Sequence, residues 1–341
     1  MTTLFDSAVG LAKEPSFGTY TAPTKFVEFT EAGLKKMPTV VTGSGRRYGE
    51  RVRRADRRVV TAWDVAGPIA TELLTKGMGA LFEAVLGTGT STSVPTTSAF
   101  QQLFTPSAGD PVDSYTIQAS VPFVGGATQP HSFVGMYATG LTMAIAEGGV
   151  PTLQVQWSGK DLDTGQSFVT PSYPADTSLF SFVHGAIVVG GSLTVPTTTE
   201  VGSISGGTTA DVTDFNLQVD NGMSPGRRYL GGSGLIGNPG FLGELGISGS
   251  ITVDYTSNAL RDAFIAQDDL ALMLTFQHPV EIDTGVYPTV QVVVPNIRLD
   301  GDIPTDNNGA PISLQLPFTG LGVTGSQPIY FVVRTAETAI F

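Results

Sequence analysis

The chain has 341 residues, a formal net charge of -12 and a hydrophobic share of 41%, which is room for two domains with packed cores. It has no cysteine, which excludes disulfides and thiolate metal sites. Its acidity excludes a surface that binds nucleic acid throughout.

The opening stretch, MTTLFDSAVG, lacks a basic region followed by an apolar run and so does not read as a signal peptide. No window approaches the roughly 18 apolar residues of a membrane span. A reducing, soluble compartment and no membrane partner are expected.

Between Gly43 and Val60 lies the strongest anomaly. Arg46, Arg47, Arg51, Arg53, Arg54, Arg57 and Arg58 fall within thirteen positions with only Glu50 and Asp56 for company. The local charge is +5, so the rest of the chain carries -17. Such asymmetry points to a charged partner or to association between opposite surfaces of identical chains. Two other readings stand beside it: a solvated hairpin, and a nucleic-acid arm. The last lacks interleaved aromatics apart from Tyr48, whereas single-strand binders use stacking platforms.

The alternating run VVTAWDVA follows. Gly67-Pro68 then predicts a helix start, with Leu74, Met78, Leu81, Phe82 and Val85 at helical spacing and Gly87 as its stop. Further strands are expected where apolar residues alternate. SYTIQASV sets Tyr115, Ile117, Ala119 and Val121 against Thr116, Gln118 and Ser120; TLQVQW sets Leu153, Val155 and Trp157 against Gln154 and Gln156. A proline-rich polar stretch from Asp163 to Ser178 reads as a seam. Beyond it, GSITVDYT leads to a helix opening near Ser257-Asn258, with Leu260, Ala263 and Phe264 on one face, and LALMLTFQ reads as another strand.

Several of these elements occur twice in the same order. GRRY stands at Gly45–Tyr48 and Gly226–Tyr229, and each copy precedes a strand with an aspartate (Asp64, Asp254) and then a helix. GVPTLQVQWSG (149–159) is answered by GAPISLQLPFTG (309–320), which aligns Leu153 with Leu314 and Trp157 with Phe318. The expectation is a mainly β chain of two β-sandwich or barrel modules, 1–165 and 180–341, each with one short helix.

Catalytic motifs are few. His131, His184 and His278 are isolated in sequence and read as structural. Gly232-Ser-Gly234-Leu-Ile-Gly237 fits a dinucleotide fingerprint, but Asn238-Pro239-Gly240 follows where a helix is required. Asp161 and Asp163, and Asp300, Asp302 and Asp306, are dense enough for calcium but lack the spacing of a known loop. They read as turn residues that bond their own backbone. No catalytic residue, cofactor or metal is expected, although carboxylates on distant strands leave a glycan hydrolase open.

The order of elements resembles the tail tube proteins of long, non-contractile bacteriophage tails. The resemblance is carried by LFDSAVGLAKEPSFGTYTAPTKFVEFTEAGL, by VVTAWDVAGPIATELLTKGMGALFEAVLGTG, by PSYPADTSLFSFVHGAIVVGGSLT and by DFNLQVDNGMSPGRRYLGG. It implies a structural virion protein whose subunits form rings, stacked into the channel through which the genome leaves. With two modules per chain, three chains rather than six would complete a pseudo-six-fold ring. The resemblance implies further partners: a tape-measure protein, tail terminator and distal tail proteins, and viral DNA passing through an acidic lumen without specific binding. It implies assembly in the host cytoplasm. The seven arginines would then contact a neighbouring subunit or ring. Another virion component, such as a decoration or baseplate protein, is the alternative.

Overall fold

The structure, a computed structural model, describes residues 6–110, 112–124, 126–209, 211–301, 303 and 313–341. In the first half the strands are β1 (Ala8–Lys13), β2 (Lys25–Val27), β3 (Glu31–Ala32), β4 (Lys35–Thr42), β5 (Arg58–Glu72), β6 (Gly87–Ser93), β7 (Phe100–Pro106), β8 (Tyr115–Pro122), β9 (Thr128–Ile145), β10 (Thr152–Gly159) and β11 (Asp161–Asp163). Helix α1 (Gly79–Leu86) lies between β5 and β6. The second half has β12 (Gly185–Val189), β13 (Ser192–Thr194), β14 (Ser203–Ser205), β15 (Thr208–Thr209), β16 (Val212–Asp220) and β17 (Gly246–Asp254). Helix α2 (Ala259–Ala266) is followed by β18 (Leu270–Gln277), β19 (Thr289–Leu299), β20 (Ser313–Gly320) and β21 (Tyr330–Thr335). The fold is mainly β with two short helices, as the alternation of the sequence requires.

Eight antiparallel strands form a central wall in the order β4, β5, β10, β9, β16, β17, β20, β19. The β9–β16 pairing, from Phe215↔Ile145 to Asp220↔Gly140, joins the two halves. Within each half the pairing follows one pattern: β4–β5–β10–β9–β8 in the first, β16–β17–β20–β19–β18 in the second. A register shift falls at the start of β8 (Tyr115/Ile117) and again at the start of β18 (Leu270/Leu272). The first half adds the β6–β7 hairpin, on which the C-terminal β21 pairs.

Alternation sorts the wall into two faces. Leu153, Val155, Trp157, Leu217, Ile251, Leu316 and Phe318 are buried in one apolar core with α1 residues Leu81, Phe82 and Val85. Gly87 closes α1 in the left-handed region at φ 86°, where a residue without Cβ pays no steric cost. Asn258 precedes α2, and Leu260 and Phe264 lean on the core. Burying a leucine or phenylalanine is worth about 1.5–3 kcal/mol, so this face dominates the stability.

Two sequence expectations are corrected, and the tryptophans and histidines add contacts that spacing does not show. Gly67 and Pro68 lie inside β5, and the helix begins at Gly79. The Gly33 amide donates to the Pro68 carbonyl at 2.8 Å, and a Cβ on Gly67 would collide with the Gly33 carbonyl. A glycine–proline pair marks a break in strand pairing between β3 and β4 as readily as it opens a helix. Thr116, Gln118 and Ser120, expected to face water, are buried. Gln118 bonds Ser167 and Val169, Ser120 bonds Ala8, and over Thr116 sits Glu14, whose carboxylate accepts from the Ser114 and Thr116 hydroxyls at 2.7 and 2.8 Å and from the Gly18 and Gly135 amides. A buried carboxylate demands such partners. Trp157 is a core residue, but Trp63 is only half buried, with the Lys36 ammonium 4.6 Å from its ring centroid. Finally, His184 and His278, far apart in sequence, meet with ring centroids 5.2 Å apart. Burial and the neighbouring His184 hold His278 below the ordinary histidine pKa.

Candidate assembly surfaces

The second face of the wall is open, and the strand register lays out its side chains in rows. One row runs Ala70, Gln154, Thr142, Gln218, Ser248, Thr319 across six strands. The next runs Glu72, Thr152, Ala144, Asn216, Ser250, Pro317, and a third Pro68, Gln156, Gly140, Asp220, Gly246. Asp214 with Thr252 and Gln315, and Asp254 with Ser313, complete it. Its charges in these rows are all carboxylates: Glu72, Asp214, Asp220 and Asp254. Arg298 stands across from Thr319 at one end, where it is neutralised by Asp269 at 2.9 Å and holds that carboxyl below its usual pKa.

The wall has two unpaired edges among the described residues. β3 and β4 pair only with β5. At the other end Ser313–Pro317 of β20 pair with β17 alone, because β19 reaches only Phe318–Gly320. Long unpaired edges invite pairing with another chain.

The arginines cluster at the tip of the β4–β5 hairpin, which runs past the wall. Arg54 is satisfied within the loop: it meets Asp56 at 2.9 Å and Glu50 at 3.3 Å, and it holds the Asp56 carboxyl below its usual pKa. Arg46, Arg47, Arg51, Arg53, Arg57 and Arg58 are exposed and make no ion pair among the described residues. Along the hairpin Val41 opposes Val59 and Val40 opposes Val60. Val41, Val59 and Val60 are about half exposed, and Tyr48 at the tip is fully so.

The second GRRY copy is placed differently. Arg228 donates to the Trp63 carbonyl at 2.9 Å and to the Gly234 carbonyl at 3.1 Å, and pairs with Asp64 at 2.5 Å. The Trp63 amide donates to the Gly234 carbonyl at 2.9 Å. Tyr229 packs on Gly237, where a Cβ would strike its ring, and Arg227 lies over Phe241. The segment between β16 and β17 is thereby fastened to the first half, with the Leu242 amide on Asp110 and the Asn221 side chain on the Val85 carbonyl. Gly232 to Gly237 belong to this docked loop, with no helix after them. Sequence reading found both GRRY copies and Asp64 but not the contact between them, since ion pairs between distant segments leave no local pattern.

The remaining candidates resolve as turn chemistry. Asp163 accepts from the Gly165 amide at 2.8 Å, Asp161 pairs with Lys36, and Asp300 accepts from the Thr319 hydroxyl. Asp302 and Asp306 lie outside the described residues. Among the described residues no group of three His, Cys, Asp or Glu side chains could hold a metal, and no helix is long and apolar enough to cross a membrane. His131 lies in β9 opposite Ala119.

No curated protein matches the chain. A family model described as phage tail tube protein matches residues 5–320. The wall, its open edges and this match over nearly the whole length lead to one assignment: the chain belongs to the phage tail tube protein family, a family of structural virion proteins.

Proposed function

We propose that the chain assembles into stacked rings forming the tail tube of a siphovirus-type phage, and that the open face of the wall lines the channel. The carrying observation is that face: from β5 to β20 its rows are Gln, Ser, Thr, Asn and small residues whose charges are carboxylates, with Lys35 on β4 and the Asp269-paired Arg298 on β19 only at the margins. A polyanion held by lysines and arginines releases counterions and sticks; a wall with few of them, confined to its margins, lets DNA pass. The role is structural rather than enzymatic, with no cofactor.

We also propose that residues 1–165 and 180–341 are two copies of one module. Support comes from the repeated pairing order and the register shift common to β8 and β18. On this reading three chains close a pseudo-six-fold ring of 24 wall strands, roughly 45 Å across at ordinary strand spacing and tilt. Closure removes both open edges. The arginine hairpin then reaches a neighbouring subunit or ring, where the planar guanidinium pairs carboxylates two hydrogen bonds at a time. A tape-measure protein inside the tube and terminator and distal tail proteins at its ends complete the partners, with assembly in the host cytoplasm.

Negative-stain electron microscopy of the purified protein tests this. Rings or tubes with a central hole are expected; lone particles at all concentrations and salts would refute the assembly.

A further inference from the structure

The two GRRY segments can be compared rung by rung. On β10, Gly67 opposes Trp157 and Ile69 opposes Val155; on β20, Gly249 opposes Phe318 and Ile251 opposes Leu316. With Trp157 set on Phe318, as the sequence repeat sets them, Gly67 falls on Gly249 and Asp64 falls on Gly246. The cross-strand partner of Asp64 is Met37, and that of Gly246 is Asp220. Directly opposed side chains stand about 5 Å apart. The same rung thus carries one carboxylate in each half, on opposite strands. This register also corrects the sequence-based match of Asp64 with Asp254, whose counterpart is Glu72.

Between these rungs run two segments of nearly equal length, 38–63 with 26 residues and 221–245 with 25. Each contains GRRY. The second uses Arg228 on the Asp64 rung of the half that precedes it. In the first, the corresponding Arg47 is exposed and makes no ion pair among the described residues. Asp220 is likewise exposed, and among the described residues its Oδ1 accepts from the Gly222 amide at 2.9 Å and it makes no ion pair. Within a closed ring the half preceding residues 1–165 is the second half of a neighbouring copy.

We propose that Arg47 of one chain docks on Asp220 of a second copy, repeating between chains the Arg228–Asp64 contact made within each. The proposal rests on the ring reading. It names the occupant of the exposed hairpin as a second copy and the receiving rung as Asp220–Gly246. The half-exposed Val41, Val59 and Val60 of this ribbon would be covered by the same contact, as a free two-stranded ribbon is marginal in water.

Charge reversal tests it. Arg47→Asp and Asp220→Arg are made singly and together, with assembly read by electron microscopy and native mass spectrometry and folding by circular dichroism. Each single reversal should abolish or sharply shorten tubes in a folded chain, and the double reversal should restore them. Normal tubes from Arg47→Asp, or a double variant no better than the singles, would overturn the pairing while leaving the ring intact. A wild-type protein that never forms rings would overturn both. Should a reversal impair folding, the cysteine-free background permits Arg47→Cys with Asp220→Cys and a short bis-maleimide. Covalent oligomers that need both cysteines support the pair, and their absence from assembled rings counts against it.

Discussion

One four-residue sequence, GRRY, exists here in two physical states. At 226–229 the second arginine is held by a carboxylate and two carbonyls, the tyrosine packs on a glycine, and the segment is fastened to the first half. At 45–48 the same residues stand in solvent on an extended hairpin. Intrinsic preferences are nearly equal for the two copies, so the difference comes from what lies alongside. The second copy has a neighbour within its own chain. The first lies at the end of the wall, where β3 and β4 present an unpaired edge.

The comparison breaks most visibly if the first hairpin is stripped of charge. Changing Arg51, Arg53, Arg54, Arg57 and Arg58 to serine should leave the lone chain folded by circular dichroism but shorten tubes drastically under the electron microscope. Single exposed pairs are worth roughly 0–1 kcal/mol, but a ring repeats each contact and a stack repeats each ring. Raised salt should imitate the variant, because screening acts over about 8 Å at physiological ionic strength. Full-length, salt-resistant tubes from the folded variant would return the cluster to the solvated reading.

A smaller effect should separate the two copies in the unassembled chain. Arg228→Ala removes a charged donor from Asp64 and two carbonyls and should cost about 1–3 kcal/mol, seen as a melting point lower by a few degrees. Arg47→Ala should leave the melting point of the lone chain within about 0.5 kcal/mol of wild type. Equal losses would mean the two arginines are equivalently engaged, which contradicts the comparison. Replacing Val41 and Val59 by threonine should behave like Arg47→Ala in the lone chain, with a modest loss of assembly measurable as a higher critical concentration.

The smallest effect lies away from both copies and serves as a control. His278 is held below its ordinary pKa by burial and then by His184. Folding therefore opposes its protonation: the stability is intact above the ordinary histidine range and declines as pH falls through about 6.5. His278→Asn should flatten that slope in denaturant titrations between neutral and mildly acidic pH, without altering either GRRY copy. An unchanged slope would place the titration elsewhere.

These contrasts also mark what the sequence could reveal. Alternation identified the buried face of β10 residue by residue, and Gly87 and Asn258 marked helix ends because caps are local chemistry. Gly67-Pro68 misled because the same dipeptide serves a helix start and a break in strand pairing, and only the approach of Gly33 decides between them. The polar face of β8 is buried because distant segments cover it: Glu14 takes the Thr116 hydroxyl, Ser167 and Val169 bond Gln118, and Ala8 of β1 bonds Ser120. Arg47 and Asp220 were both in view as letters, but their rung is defined only once β4, β5, β16 and β17 are paired.

The central claim is that two halves of one chain act as two of six positions in a closed ring. Native mass spectrometry of ring-sized species, released from tubes by mild salt, measures it directly. Three chains per ring is the predicted mass, with no open-ended series between one and three. Six chains per ring would contradict the account, since each chain would then supply only one position to the wall.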